Sequence, residues 1–228
     1  MAVITISRQY GSGGDEVASR VCQLLGYRYF DKRMMAQVAS EAGLSSKEII
    51  DSPEDRHQAV SFLERLFGHK VSEAWVTKDE VSGDRVVEMA ELDSKRFVAV
   101  LRSLIQTAYE QGNVVIVGRG GQAVLKDQPG VLHVRIEMPF DERVRRVGEQ
   151  QRFGRPEVAR DFVAERDRAA ADYLRSYYNV EWADPALYHL AINTELLDVE
   201  AAAHIIVDAL QYLPAAKVNQ ATSVAQPA

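Results

Sequence analysis

A glycine-rich segment near the start of the chain carries the residues best suited to binding an anion. An apolar strand is predicted at residues 3–6 and a helix from residue 16 onward, with several glycines between them. A strand, a glycine turn and a helix N-terminus present a concave row of backbone N–H groups, which suits phosphate. We therefore expect phosphate groups to bind along Gly11, Ser12, Gly13, Gly14, Asp15 and Glu16.

This segment departs from the phosphate-binding motif G-x-x-x-x-G-K-[ST] at three positions. Arg8 stands where the first glycine would be, Gly14 replaces the lysine, and Asp15 replaces the hydroxyl residue. The Asp15 carboxylate either caps the helix and favours its dipole, or supplies a hard oxygen ligand to Mg²⁺. The alternative for the whole segment is a tight strand-to-helix turn that binds nothing.

A second group of candidate residues is a series of arginines between positions 143 and 175. Guanidinium groups fork onto phosphate oxygens and stabilise the charge of a transferring phosphoryl group. Offsets of four and three residues place Arg168, Asp172 and Arg175 on one helix face, where the aspartate could hold both guanidinium groups for an anionic substrate. The alternative is a solvated face on which nearby carboxylates pair with the arginines.

Alternating apolar runs and helical patterns predict the frame that positions these groups. Strands are predicted at 3–6, 27–31, 114–117, 132–136 and 187–193, and the main helices at 16–25, 32–43, 94–111, 156–176 and 198–212. This alternation predicts an α/β fold, with a parallel sheet covered by helices on both faces. Ligands of such sheets bind at the carboxyl ends of the strands, so the first glycine segment, Asp31 and Gly118–Gly120 are expected at one rim.

Two parts of the chain fit this frame less well. A helix at 51–67 is followed by a possible hairpin within 68–92, so we expect residues 68–95 to be an insertion or a subdomain on the acceptor side. The last residues, 214–228, lack any period and are predicted to be a disordered tail. Residues 1–213 are therefore expected to form one domain.

Composition narrows the class of protein. The formal net charge of −6 argues against a nucleic-acid surface, because proteins with such a surface usually carry a basic excess. The single cysteine, Cys22, allows no internal disulfide and indicates a reducing compartment. Neither a signal for export nor an apolar run of about 18 residues is visible, so we expect a cytoplasmic protein without a membrane span.

Taken together, these motifs resemble the cytidylate kinase-like family, within the P-loop nucleoside monophosphate kinases. The likeness covers most of residues 1–212, without a clear counterpart for 44–95. It rests on the following segments: Ile4-x-Ile6 with the glycine segment, Leu24-Leu25-Gly26-Tyr27, Tyr29-Phe30-Asp31, Gly118-Arg119, Arg143-x-x-Arg146, Arg168-x-x-x-Asp172-x-x-Arg175 and Asn193-Thr194.

The resemblance implies a three-layer P-loop kinase fold with a short lid, and transfer of the γ-phosphoryl group of ATP, with Mg²⁺, to a nucleoside monophosphate such as CMP or dCMP. Arg152 and Arg155 would lie in the lid. Without the lysine, either Arg8 at the mouth of the glycine segment reaches the phosphates and restores catalysis, or the substitution records its loss. The implied acceptor-binding residues are Asp31, Arg119, Arg168, Asp172 and Arg175.

Departures from the family pattern leave other functions open. Gly120 stands where cytidylate kinases usually carry an acidic residue, which weakens the assignment of cytosine as the base. A regulatory protein that binds a nucleotide but has lost catalysis is one alternative, and a kinase of another hydroxyl-bearing small molecule is a second. The oligomeric state is left open, a homodimer included.

Overall fold

Five parallel strands in one sheet form the centre of the protein in a computed structural model, which describes residues 2–31, 98–99 and 101–213. The spatial order of the strands is β2-β3-β1-β4-β5, so β2 and β5 lie at the edges. The strands are β1 (Val3–Arg8), β2 (Arg28–Phe30), β3 (Val114–Val117), β4 (Val131–Glu137) and β5 (Leu190–Asn193).

Helices connect these strands and cover the sheet. They are α1 (Gly14–Leu25), α2 (98–99 and 101–111), α3 (Gly121–Val124), α4 (Phe140–Gln151), α5 (Pro156–Tyr178) and α6 (Val199–Ala209), with short 3₁₀ turns at Pro185–Leu187 and Leu210–Tyr212. Among the described residues, no helix is long and apolar enough to cross a bilayer.

Alternate residues of the central strands serve the two faces of the sheet. Ile4 and Ile6 of β1 pack in one apolar cluster with Val17 of α1 and Ile206 of α6. Val3, which precedes Ile4, packs in a second cluster, which contains residues of α2 on the opposite face. Burial on both faces explains why β3 is continuously apolar, as expected of a central parallel strand.

A third apolar cluster joins α4 to α5 beside the sheet. It is formed by Val144 and Val147 of α4 and by Ala159 and Val163 of α5. The connection between these two helices carries Arg152 and Arg155, and Arg155 is the N-cap residue of α5. The predicted α/β fold with helices on both faces of a parallel sheet is therefore confirmed.

One predicted boundary is wrong. The last strand begins at Leu190 rather than at residue 187, because a 3₁₀ turn precedes it. The Asp184 carboxylate accepts a hydrogen bond from the backbone N–H of Ala186, and Pro185 supplies the fixed φ of a first helical position. The apolar Leu187 is buried at the end of this turn, which is why it resembles the start of a strand.

Several sequence predictions lie outside the described residues. These are the helices at 32–43 and 51–67, the hairpin within 68–92, the first turn of the helix at 94–111, and the tail at 214–228.

Candidate active site

The loop between β1 and α1 has the geometry of an anion site. Gly11 and Gly13 have φ values of +81° and +79°, a region that strongly favours glycine. A Cβ atom at Gly11 would lie 2.7 Å from Cγ2 of Val147, so this glycine also permits the close approach of α4. Because the first N–H groups of α1 have no partner within the helix, they face the concave side of the loop as donors.

An ion pair between α4 and α5 fixes this first loop through the backbone of Tyr10. The Asp167 carboxylate accepts a hydrogen bond from the Tyr10 N–H at 3.0 Å, and Arg143 Nη1 donates to the Tyr10 carbonyl at 3.1 Å. Arg143 and Asp167 are themselves joined at 2.7 Å, and the arginine side chain is only 3% exposed. Both backbone groups of Tyr10 are thus held by one buried pair.

A second anchor reaches the loop from the end of β5. The Thr194 hydroxyl lies 2.5 Å from the carbonyl oxygen of Ser12, to which it donates. The Ser12 hydroxyl in turn donates to the carbonyl of Gln9 at 2.8 Å. The loop is therefore fixed at both of its ends before any ligand binds.

Arg8 crosses the opening of this loop. Its Nε donates to the Asp15 carboxylate at 2.8 Å, and its Nη1 lies 2.6 Å from the position that a Cβ atom would take at Gly118. Asp15 accordingly binds Arg8 in the first turn of α1, and the N-cap position belongs to Gly13. The guanidinium group of Arg8 thus lies between the first loop and the loop that follows β3.

Arg146 of α4 brings a second guanidinium group to the first loop. Its Nη1 lies 3.1 Å from the Cβ position of Gly13, and its Nη2 donates to Glu16 at 2.6 Å. Glu16, one of the residues predicted to line the phosphate site, holds this arginine over the glycines. In the sequence, Arg146 belongs to the arginine series between positions 143 and 175 and to the family motif Arg143-x-x-Arg146.

The loop after β3 is also rich in glycine and has an unusual backbone. Gly118, Arg119 and Gly120 have successive φ values of +75°, +53° and +77°. A non-glycine residue in this region costs on the order of 1–2 kcal/mol, and such residues concentrate at functional sites. Arg119 is therefore held in a backbone conformation that arginine rarely adopts.

Tyrosines at the end of α5 hold this second loop. The Tyr178 ring fills the space beside Gly120, where a Cβ atom would lie 2.6 Å from Cε2 of the ring. The Tyr178 hydroxyl lies 3.4 Å from the Arg119 carbonyl, and the Arg119 guanidinium lies 5.5 Å from the centre of the Tyr173 ring. Arg102 of α2 covers the Tyr178 ring at 4.8 Å.

A buried polar network lies under the same rim, and the sequence pattern did not predict it. Trp182 Nε1 donates to the Ser7 hydroxyl at 2.8 Å, and Arg135 Nη1 donates to the Trp182 carbonyl at 2.6 Å. Arg135 also pairs with Glu137 and lies against the rings of Trp182 and Tyr188.

Asp31 follows β2 at the edge of the same rim. Burial raises the pKa of the Tyr29 hydroxyl well above its usual value, and the negative charges of Asp15 and Asp31 raise it further. The positive charge of Arg8 acts in the opposite direction on the same pKa, so all three charged groups lie within electrostatic range of Tyr29. The structure therefore brings Asp31 into the neighbourhood of the Arg8–Asp15 pair.

The remaining predicted residues are more exposed. Arg168, Asp172 and Arg175 lie on one exposed face of α5, as their spacing predicts. Arg175 forms a bidentate pair with Glu181 at 3.0 and 2.8 Å, rather than the expected contact with Asp172. Arg152 and Arg155 are exposed on the connection between α4 and α5.

The described residues contain no cluster of three or more side chains arranged to hold a metal ion. Asp15 is the carboxylate nearest the loop glycines in sequence, and its side chain is 60% exposed. Mg²⁺ commonly uses one or two carboxylates together with phosphate oxygens and water. A single accessible carboxylate beside a phosphate loop fits that requirement.

Comparison with known proteins gives a family match over most of the chain. The sequence model described as the cytidylate kinase-like family matches residues 3–196. A cytidylate kinase of Methanospirillum hungatei JF-1 is 28% identical over 101 residues, which are 44% of this chain and 57% of the relative. A cytidylate kinase of Methanosarcina barkeri is 22% identical over 133 residues, which are 58% of this chain and 74% of the relative. The first match thus spans little more than half the length of the relative.

Solved structures show the same fold. A crystal structure of an uncharacterized protein from Eubacterium ventriosum aligns with 92% of this chain and 99% of its own length, with a TM-score of 0.64 and 19% identity. A shikimate kinase from Acinetobacter baumannii, solved in complex with shikimate, covers 93% of this chain and 92% of its own, with a TM-score of 0.44 and 13% identity. The second value is too low to support an inference.

Proposed function

The chain belongs to the cytidylate kinase-like family, and from this premise we propose that it transfers the γ-phosphoryl group of ATP to a nucleoside monophosphate such as CMP or dCMP. Membership of the family supports a nucleotide kinase in general. The two relatives named cytidylate kinase support the narrower choice of acceptor.

One observation carries the proposal: two glycine loops meet at the carboxyl ends of neighbouring strands, with a guanidinium group between them. Strands β1 and β3 are paired in parallel, so the loops that follow them lie side by side. Arg8 contacts Asp15 on one side and approaches Gly118 on the other. A donor phosphate on the first loop and an acceptor phosphate near the second would then share one cleft.

The chemistry requires positioning and charge stabilisation rather than a covalent nucleophile. An oxygen of the acceptor phosphate forms a bond to the γ-phosphorus of ATP, while the bond from that phosphorus to the bridging oxygen breaks. The electron pair of the broken bond stays on the β-phosphate of the ADP product. The guanidinium groups of Arg8 and Arg146 lie over the first loop, where they oppose this negative charge.

We assign the first loop and Asp15 to the donor side. The N–H groups of Gly11–Asp15 would bind the phosphates, and Asp15 would supply an oxygen to Mg²⁺. An ion held there would neutralise part of the charge of the phosphates.

We assign the residues around the second loop to the acceptor side. Arg119 and Asp31 would contact the nucleoside monophosphate, since Arg119 follows Gly118, which Arg8 approaches, and Asp31 follows β2 at the same end of the sheet. Arg168, Asp172 and Arg175 would bind it from the exposed face of α5, and Arg152 and Arg155 would reach the nucleotides from the connection between α4 and α5. Breaking the Arg175–Glu181 pair would be part of the cost of binding.

The proposal is tested by a coupled assay with ATP, Mg²⁺ and a panel of monophosphates that includes CMP, dCMP, UMP and AMP. Sugars and nucleosides in parallel wells test whether the acceptor is another hydroxyl-bearing small molecule, because a fold does not determine the substrate. We expect turnover with at least one monophosphate, with a pyrimidine preferred. Absence of turnover with every monophosphate would contradict the proposal.

The Arg8–Asp15 ion pair supports a second candidate, a nucleotide-binding protein without catalysis. In this pair the charge of Arg8 is already balanced by a carboxylate, which lowers the positive charge that a phosphate would meet. This candidate predicts calorimetric binding of ATP without formation of product. Turnover in the coupled assay excludes it.

A further inference from the structure

Arg8 and Gly14 compete for the same space. A Cβ atom at position 14 would lie 2.4 Å from Cβ and 2.7 Å from Cγ of Arg8, closer than real Cβ atoms approach other atoms. The nearest clash is with the Cβ of residue 8, which every amino acid except glycine possesses. In this backbone, a side chain at position 8 therefore requires glycine at position 14, and a side chain at position 14 requires glycine at position 8.

This mutual exclusion accounts for two departures from the phosphate-binding motif at once. The standard motif has glycine at the position of Arg8 and lysine at the position of Gly14. Both arrangements place one cationic side chain in the shared space, but they attach it to different ends of the loop. Resting on the proposed function above, we propose that Arg8 is the phosphate-binding cation, transferred from the start of α1 to the end of β1.

Asp15, the third departure, has a role in the same arrangement. Its carboxylate accepts from Arg8 Nε at 2.8 Å, an interaction that a serine or threonine hydroxyl would make without the opposite charge. Because the bond uses Nε, the two terminal nitrogens remain the outer edge of the guanidinium group, and Nη1 points to Gly118. The three departures thus form one unit of cation, space and counter-charge.

The transferred cation differs from a lysine in its reach. A guanidinium group presents several donors in a fixed plane, whereas an ammonium group acts as a compact charge. Arg8 lies between the two glycine loops, so its donors are placed for a phosphate on either side.

The test exchanges the two positions. We compare the wild type with Arg8→Gly, Gly14→Lys and the double variant Arg8→Gly/Gly14→Lys, measuring ATP affinity with Mg²⁺ by calorimetry and turnover by the coupled assay. Arg8→Gly should lower turnover by about 10²-fold, the typical effect of losing one such electrostatic contact. Gly14→Lys should also lower turnover, because its side chain clashes with Arg8. The double variant should have a turnover at least about tenfold higher than that of either single variant.

Gly14→Lys alone could prevent folding, so a smaller change keeps the test decisive. Gly14→Ala introduces only the clashing Cβ atom, and it is made both in the wild type and in the Arg8→Gly variant. We expect a clear fall in melting temperature when it is added to the wild type and little change when it is added to Arg8→Gly. Equal falls in the two backgrounds would contradict the steric coupling. Arg8→Lys, which retains the charge, should keep more turnover than Arg8→Gly.

The outcomes separate this inference from the proposed function. A wild-type chain that phosphorylates a monophosphate, but whose Arg8→Gly variant keeps full ATP affinity and turnover, overturns the role of Arg8 alone. A wild-type chain that neither binds ATP nor phosphorylates any monophosphate overturns the proposed function, and the role of Arg8 with it.

Discussion

The two glycine loops at the rim are similar in backbone but are held in different ways. Each loop follows a central strand and has glycines at and directly after the N-cap position of the next helix. Each also contains a glycine at which a neighbouring side chain leaves no room for a Cβ atom. Arg8 fills this space at Gly14, and Tyr178 fills it at Gly120. The first loop is fixed by a buried ion pair and by hydrogen bonds to its backbone. The second is held mainly by aromatic rings.

This difference suggests a division of labour. Directional bonds at 2.5–3.1 Å give the first loop a single geometry, which suits the phosphates of a constant donor. Besides the backbone hydrogen bond from the Gly118 N–H to the Ile6 carbonyl at 2.9 Å, ring packing and a longer hydrogen bond of 3.4 Å hold the second loop, and such contacts adjust more readily to an acceptor. Helix α5 touches both loops, through Asp167 in its middle and Tyr178 at its end, so it connects the two sites.

The largest expected effect is on the anchor of the first loop. Arg143→Met leaves Asp167, whose side chain is 20% exposed, without its charged partner and should cost about 3 kcal/mol of unfolding free energy. Urea denaturation measures this loss. Arg145→Met is the matched control, because Arg145 lies on the same helix with 62% of its side chain exposed and should cost less than about 1 kcal/mol. Equal losses in the two variants would contradict the role of the Arg143–Asp167 pair as the anchor of the first loop.

Arg119→Ala should act on the second loop alone. Loss of a charged hydrogen bond to phosphate typically costs about 1.5–3 kcal/mol, so the KM for the acceptor should rise by roughly 10–10²-fold. The affinity for ATP should stay within about twofold, since Arg119 is assigned to the acceptor side. Steady-state kinetics with each substrate varied in turn separates the two effects. An equal rise in both KM values would contradict the division between the loops.

Tyr178 should influence the acceptor indirectly, as a residue that positions Arg119. Tyr178→Ala removes the ring beside Gly120 and should raise the acceptor KM by about tenfold, whereas Tyr178→Phe keeps the ring and should stay near the wild type. Tyr212→Ala is the control, because that side chain is 81% exposed. A Tyr178→Phe variant as impaired as Tyr178→Ala would mean that the hydroxyl, and not the ring, holds the loop.

The smallest effect on stability is expected for Asp15→Asn. The Arg8–Asp15 pair is partly exposed, so its loss should change the unfolding free energy by less than about 1 kcal/mol. The ratio of ATP affinity in Mg²⁺ to that in chelator should nevertheless fall toward one, if Asp15 supplies an oxygen to the ion. A ratio unchanged from the wild type would restrict Asp15 to its contact with Arg8.

Local patterns were sufficient to predict the sheet and the position of the first loop. The continuous apolar run of β3 and the glycines after β1 depend only on neighbouring residues. By contrast, the Arg143–Asp167 pair joins side chains that are 24 residues apart in the sequence. Tyr178 contacts Gly120, although β4, α4 and α5 separate the two residues along the chain. No periodicity reports such contacts, because they depend on how α4 and α5 pack on the rim.

The role of Gly14 could also not be predicted from the sequence, because it depends on a contact in the folded structure. In the sequence, a glycine in place of lysine indicates the loss of a charge. In the structure, the same glycine makes room for Arg8, so an apparent loss becomes the complement of a neighbouring gain. Leu187 shows the opposite case, since an apolar residue next to a strand belongs to a turn that Asp184 and Pro185 fix locally.

We propose that both loops line one binding cleft, with the phosphate donor bound at the first loop and the acceptor at the second. The most direct test of this proposal is calorimetry with a single compound in which adenosine and cytidine are joined by a chain of phosphates about as long as those of ATP and CMP combined. We predict 1:1 binding that is at least about 10²-fold tighter than that of ATP or CMP alone, because joining the two halves makes the second contact intramolecular. Arg8→Ala and Arg119→Ala should each weaken this binding. An affinity no higher than that of ATP, or binding of two molecules per chain, would contradict the shared cleft.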